Sequence, residues 1–275
     1  MLGLAYSSAV RDFIRQHPGA VDFVEVPFEL LNHDPQVIEV QDDIPVVLHC
    51  ASLSVAGTVP CRAETIARID HWLKETASPW LGEHLAFVTA DRAEAGTGAE
   101  SYAPGEPYNI GYTVSPPMND DVVSRVSQSL AAYQRHFPVP VLLENSPLYF
   151  RTPGSTMSQV DFIRSISERT EVGLLLDLAH FYISSQTMGF DATDEIARLP
   201  LHSVVEVHIS GVSGDLDATW DDHAQPAPAA VYDLLRVVMR HCNPRAITLE
   251  YNWSSRVSDS FLHRQLAATR AVVGL

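Results

Sequence analysis

Six short apolar runs in the chain each stop at, or just before, a residue able to bind a metal: PVVLH at His49, GEH at His84, VLLEN at Glu144, GLLLD at Asp177, VVEVH at His208 and ITLE at Glu250. A run of about four to eight apolar residues is an ordinary buried strand. One such run ending in His, Asp or Glu says little. Six in 275 residues point to strands whose ends converge on one polyhistidine, polycarboxylate pocket at one end of a parallel sheet. Apolar residues at successive positions, as in VVLH and LLLD, fit strands covered on both faces, which is the condition of a parallel sheet.

Along the chain, strand-like runs at 2–6, 21–26, 45–49, 80–88, 139–145, 172–177, 204–209 and 246–251 alternate with segments of helical periodicity. The helical segments are SSAVRDFIRQH, ETIARIDHWLKETA, DDVVSRVSQSLAAYQRHF, SQVDFIRSISERT, PAAVYDLLRVVMRHC and DSFLHRQLAATRAVV, with a weaker helix around 35–42 and a short one in DATDEIARL. In SQVDFIRSISERT, Val160, Ile163, Ile166 and Ser167 share one helical face. Eight strands with intervening helices make an α/β chain, and a length of 275 residues suits a single (β/α)8 barrel over 1–275. Two long connections interrupt the rhythm. Residues 89–117, rich in Gly and Pro, follow the fourth strand, and SGVSGDLDATWDDHAQPAP follows the seventh. In a barrel both lie on the C-terminal face, where active sites are built.

Composition removes several classes of function. A formal charge of −16 with only 18 basic residues argues against a nucleic-acid backbone as partner. Carboxylates gathered in a pocket register as surplus acid until a cation neutralises them; a solvated acidic surface gives the same sum. No apolar run approaches the ~20 residues of a membrane helix, and the N-terminal segment lacks the features of a secretory signal, so a cytoplasmic location is expected. Cys50, Cys61 and Cys242 are an odd, sparse set without CxxC spacing. They indicate neither disulfides nor a thiolate zinc site and are expected to be reduced core residues.

A lone His at a strand end is often only a hydrogen-bonded structural residue. His49, His84 and His208 with Glu144, Asp177 and Glu250 at one barrel mouth are different, because carboxylates so crowded repel unless a cation sits among them. WDDHAQP adds Asp221 and His223, two apart, which point the same way if the loop is extended. The segment also reads as a turn closed by Asp side chains. Imidazole and carboxylate without thiolate fit iron, manganese or zinc. Eight candidates exceed one ion's needs; at roughly three or four protein ligands each they suit two or three metals sharing bridging carboxylates.

In their order and spacing, VDFVEVPFELL, PVVLHCASLSVAG, GEHLAFV, VLLENSPLYF, GLLLDLAHFYISSQ, VVEVHISG, DDHAQP and ITLEYN resemble the multinuclear non-haem iron-dependent oxidases, a group that includes the methanobactin-biosynthesis oxidase. The resemblance implies a TIM barrel in which His49, His84, Glu144, Asp177, His208, Asp221, His223 and Glu250 hold two or three irons. It implies dioxygen as co-substrate and, as target, a residue of a ribosomally made precursor peptide, characteristically a cysteine. It also implies a separate partner protein that recognises the peptide.

The chain departs from the family pattern after the sixth strand, where the usual DxxN is Asp177-Leu178-Ala179-His180. His180, placed among the catalytic candidates, could be an extra ligand, a hydrogen-bonding support or a mark of different chemistry. Cys50 stands where a glycine often follows the third-strand His. The acidic position of the second loop is kept as Glu29, the other catalytic candidate, with Glu25 on the strand before it; either could orient substrate or serve as buried polar support. A xylose isomerase-like or endonuclease IV-like zinc or manganese barrel, or a non-catalytic metal-dependent binding protein, would share the strand-end pattern.

Overall fold

Strand ends can meet only if the sheet curls shut, and it does. The computed structural model describes residues 1–91, 107–215, 218–251 and 257–274. Eight strands form a closed barrel with every neighbouring pair parallel: β1 (Leu2–Ala5), β2 (Phe23–Pro27), β3 (Val46–Cys50), β4 (Leu81–His84), β7 (Val141–Glu144), β8 (Gly173–Asp177), β9 (Val204–Ser210) and β12 (Ala246–Glu250). The helices are α1 (Val10–Gln16), α2 (Phe28–His33), α3 (Ala63–Thr76), α4 (Asp120–His136), α5 (Gln159–Thr170), α6 (Leu178–Met188), α7 (Ala192–Ile196), α8 (Ala229–His241) and α9 (Asp259–Val273). This is the α/β TIM barrel expected from the alternation. Among the described residues no helix is long and apolar enough to cross a membrane.

The local reasons are ordinary. Asn119, Ser158, Asp177 and Ser258 cap α4, α5, α6 and α9 by accepting backbone N–H groups of the first turn. Gly189 and Gly274 end α6 and α9 with φ of 73° and 77°, where a glycine is favoured.

Alternation along each strand sorts side chains into two environments. The outward set, including Val24, Leu48, Leu81, Leu143, Leu176, Ile209 and Leu249, belongs to the large core cluster shared with the helices. The inward set begins with a separate apolar layer of Phe23, Val47, Trp80, Leu142, Leu175 and Ala246. Two residues further along the same strands come Glu25, His49, Glu144, Asp177 and Thr248, all buried. Gly82 makes room for this upper layer. A Cβ there would lie 2.5 Å from Cδ2 of His49, so only a glycine lets that imidazole cross the barrel.

Four expectations need revision. Residues 80–88 are not one strand: β4 stops at His84, and β5 (Phe87–Ala90) leaves the barrel to pair antiparallel with β6 (Tyr108–Val114). Between them, residues 92–106 of the first long connection lie outside the described residues. The second connection forms a hairpin of β10 (Val212–Asp215) and β11 (Ala218–Asp221). Helices α2 and α6 were not anticipated; α6 is buried on most of its positions and so shows no polar face to mark it. The weak helix near 35–42 is a 3-10 helix, Pro35–Asp42.

Candidate metal centre

Register brings the strand-end residues together before any side chain turns. His84 on β4 is aligned with Glu144 on β7, and Asp177 on β8 with His208 on β9. Aligned residues on neighbouring parallel strands point the same way about 4.8 Å apart, so each pair is adjacent by construction. His49, Glu144, Asp177 and His208 are buried, the last three at 0% exposure.

Glu144 is the hinge of the arrangement. Its Oε2 accepts from Nε2 of His49 at 2.9 Å and also lies against Nδ1 of His84. Its Oε1 faces elsewhere, 3.6 Å from Nδ1 of His208 and from Nδ1 of His180. Two groups able to hold a metal ion therefore share it: His49, His84 and Glu144, and Glu144, Asp177, His208 and Glu250, with the ligand atoms of each group within 4.8 Å of one another. Nδ1 of His208 is 3.3 Å from Oε2 of Glu250.

The second group contains three buried atoms with no hydrogen-bond partner: Oε1 of Glu144, Oδ2 of Asp177 and Nδ1 of His208. Leaving a buried polar atom unpaired costs about 1–3 kcal/mol, and protein interiors rarely tolerate several side by side. A cation among them would satisfy all three at once, so the donor set fits a bound metal. Asp177 shows how the fold arranges this. Its Oδ1 caps α6 by accepting from the backbone N–H of His180 at 2.5 Å, which turns Oδ2 toward the cluster.

The hairpin supplies a further group. Nε2 of His223 is 2.8 Å from Oδ2 of Asp221, and Nε2 of His180 is 3.3 Å from the same oxygen. Ser210 steadies Asp221 by donating to Oδ1 at 3.1 Å. Within WDDHAQP, Asp222 closes a turn by accepting the N–H of Ala224 at 2.9 Å, and this turn, not an extended loop, brings His223 back to Asp221.

Electrostatics follow from this crowding. Burial alone would lower the pKa of His49, but Glu144 and Glu25 outweigh it and push it up to about 10. His180 and His208 are likewise held well above the ordinary range by nearby carboxylates, against burial. His223 reaches about 9, where Asp221 and Glu250 overcome burial. Burial pushes Asp177 up to about 7, whereas Glu250, partly exposed at the mouth, is held at about 2 by His208 and His223. His49, His180, His208 and His223 thus keep protons that a metal ion would displace.

Three more buried acids complete the picture, and two of them, Glu25 and Glu206, form with His208 a third group able to hold a metal ion. Glu25 accepts from Nε2 of His208 at 3.1 Å. Glu206, directly below, receives Nε1–H of Trp80 at 2.6 Å and Oγ1–H of Thr248 at 2.5 Å. Glu206 went unnoticed in the sequence, although its place two residues before His208 in VVEVH puts it on the same inward face. Glu83, also missed, faces the other way, where Cys50 donates its thiol to Oε2 at 2.8 Å. Cys50 is therefore a buried packing residue. Cys61 and Cys242 are free but only half-buried, not core residues as expected. Glu29 lines the cavity above the cluster and accepts from the N–H of Ala51 at 2.9 Å and the hydroxyl of Ser52 at 2.5 Å.

A closed parallel barrel with a buried His, Asp and Glu cluster at its C-terminal mouth, able to hold metal ions, is the TIM-barrel enzyme arrangement. Within that class the chain belongs to the family described as RiPP precursor modification enzyme MbnB/TglH/ChrH, which it matches over residues 1–272. Among curated relatives, a UPF0276 protein of Rhizobium meliloti strain 1021 is 30% identical over 242 residues, 86% of this chain and 72% of that protein. A UPF0276 protein of Streptomyces avermitilis is 27% identical over 98% of this chain, which spans 54% of it. Among solved structures, D-psicose 3-epimerase from Clostridium cellulolyticum superposes with a TM-score of 0.56 at 13% identity, covering 99% of both chains. Endonuclease IV from Thermus thermophilus gives 0.58 at 13% identity, covering 98% of this chain and 99% of that one. At such identities these two likenesses speak for the barrel alone.

Proposed function

We propose that the chain is a multinuclear non-haem iron-dependent oxidase that uses dioxygen to modify a cysteine of a ribosomally made precursor peptide. The observation that carries the multinuclear part is Glu144, whose two oxygens face two different ligand groups. His49, His84 and Glu144 would hold one ion, and Glu144, Asp177, His208 and Glu250 a second. Asp221, His223 and His180 would hold a third. The donor chemistry, imidazole and carboxylate without thiolate, suits iron. Family membership supports the peptide, and the resemblance in sequence supports iron, dioxygen, cysteine and a separate partner protein that presents the precursor.

Bound iron supplies activation of dioxygen and a Lewis-acidic seat for the substrate thiolate. The side chains do the remainder. Nδ1–H of His180 donates to the carbonyl of Asn145 at 2.9 Å, which fixes the ring so that Nε2 faces Asp221 and would offer its lone pair to a metal that displaces its proton. That orientation makes His180 a ligand in the place of the amide common among relatives. Glu25 performs the same service for His208 by holding Nε2–H, which presents Nδ1 to the cluster. Glu29 orients substrate by fixing the loop after β3 against the cavity. A cavity of about 670 Å³ above these residues leaves space for a few peptide side chains.

The test is oxygen uptake by the iron-loaded chain, with and without a cysteine-containing precursor and its partner protein, and the mass of the peptide afterwards. The proposal expects peptide-dependent oxygen consumption and a mass change confined to the cysteine. Oxygen-indifferent turnover of a sugar with manganese or zinc would overturn it in favour of an isomerase.

A further inference from the structure

Among the described residues few large apolar side chains are exposed: Met1, Tyr112, Tyr149, Phe150 and Trp220. All but Met1 line the cavity that opens above the metal centre. They come from three separate segments, Tyr112 from β6, Tyr149 and Phe150 from the connection after β7, and Trp220 from β11. Their exposures are large for such side chains, 69% for Tyr112, 63% for Phe150 and 50% for Trp220. An apolar side chain left in water singly needs no explanation, but convergence of several on one rim marks a place that another molecule covers.

The rim is built onto the site. The rings of Tyr149 and Trp220 lie 4.8 Å apart at an interplanar angle of 32°. The hydroxyl of Tyr149 accepts the backbone N–H of Asp221 at 3.4 Å, so the ring pair is tied to a candidate ligand. Below the rim the described lining sets Glu29, Asp221 and Glu250 against His49, His84, His180 and His223, so the aromatic rings are its main apolar feature. A rim that presents several aromatic faces at the mouth of a concave site takes apolar or aromatic side chains.

We propose that Tyr112, Tyr149, Phe150 and Trp220 form an aromatic collar that grips an apolar or aromatic side chain of the precursor peptide, next to the residue that is modified. The inference rests on the peptide-oxidase reading above. A peptide segment, not the partner protein, is the occupant, because the collar rims a concave cavity continuous with the ligand cluster. A folded partner needs a surface of about 800 Å² per side, whereas a cavity of this size takes single side chains.

The experiment is display selection. A library of short peptides with one fixed central cysteine and random flanks is panned without oxygen against the full chain, both iron-loaded and without added iron. The same library is panned against the double variant Trp220→Ala/Phe150→Ala and against Trp220→Phe. The collar predicts enrichment of Phe, Tyr, Trp or Leu beside the cysteine. It predicts that the enriched peptides bind the double variant about tenfold or more weakly, the loss expected for aromatic anchors, and bind Trp220→Phe nearly as wild type. Unchanged melting temperature and iron content of the double variant show that the fold survives. Enrichment that persists on the double variant, or no enriched sequence on wild type, would overturn the collar. Enriched peptides that depend on Trp220 and Phe150 but keep their mass when oxygen is admitted support the collar and count against the oxidase.

Discussion

Two layers inside the same barrel, two residues apart on the same strands, obey opposite rules. The lower layer, Phe23, Val47, Trp80, Leu142, Leu175 and Ala246, is apolar and closely packed. The upper layer, Glu25, His49, Glu144, Asp177 and His208, is equally buried but charged, and it leaves Glu144, Asp177 and His208 each with an unpartnered atom. Packing alone would favour filling both levels with Leu and Val. The upper layer departs from that because its unpaired atoms converge on positions where metal ions would satisfy them. Glu206 marks the boundary, a carboxylate two residues before His208 that is engaged by Trp80 of the lower layer and by Thr248, which is level with His208.

The sharpest way to break the contrast is to disable its upper half at the shared carboxylate. Glu144→Gln should abolish turnover and remove at least one iron per chain, because both ligand groups lose the same residue; metal analysis of the purified variant measures this. An unchanged iron count would separate Glu144 from the cluster. The lower half should respond in stability instead. Trp80→Ala empties the layer and strips Glu206 of a donor, and it should destabilise folding by about 3–5 kcal/mol in denaturant titration, while the folded fraction still binds metal.

A smaller effect is expected where the layers meet. Glu25→Gln should weaken metal affinity by about tenfold to a hundredfold, as loss of a carboxylate behind a ligating imidazole does, with little change in the melting temperature of the metal-free chain. Chelator competition measures it. An affinity equal to wild type would reduce Glu25 to packing.

Smallest in size is the proton count. The pKa of His49 in the folded chain, about 10, lies above its ordinary 6.5. In the metal-free protein its contribution to stability is therefore complete below pH 6.5 and lost as pH rises through about 10. Metal must displace that proton, so iron affinity should rise with pH across the same window and loading should release protons. Calorimetry in buffers of different ionisation enthalpy reads this directly; loading without proton release would show that the imidazoles are neutral before metal arrives.

Much of this contrast was legible in the sequence, for a physical reason. A strand that leads to a barrel mouth announces its own end, since a hydrophobic run that stops at His, Asp or Glu can be read without knowing its neighbours. His49, His84, Glu144, Asp177, His208 and Glu250 were visible on that basis, and the structure brings them to one mouth. What lies below them was harder. Glu206 acquires meaning only from Trp80 and Thr248, which reach it once the sheet closes. Helix α6 was silent because burial on most sides erases the amphipathic period, yet its N-terminus orients both Asp177 and His180. The two hairpins that carry rim aromatics were hidden in connections whose Gly and Pro content reads only as loop.

The central claim is that the upper layer holds several ions through one shared carboxylate. Anaerobic reconstitution of the full chain with ferrous iron, followed by metal counting on wild type and Glu144→Gln side by side, tests it most directly. The account predicts two or three irons per wild-type chain and a loss of at least one in the variant; one iron or fewer in the wild type would contradict it.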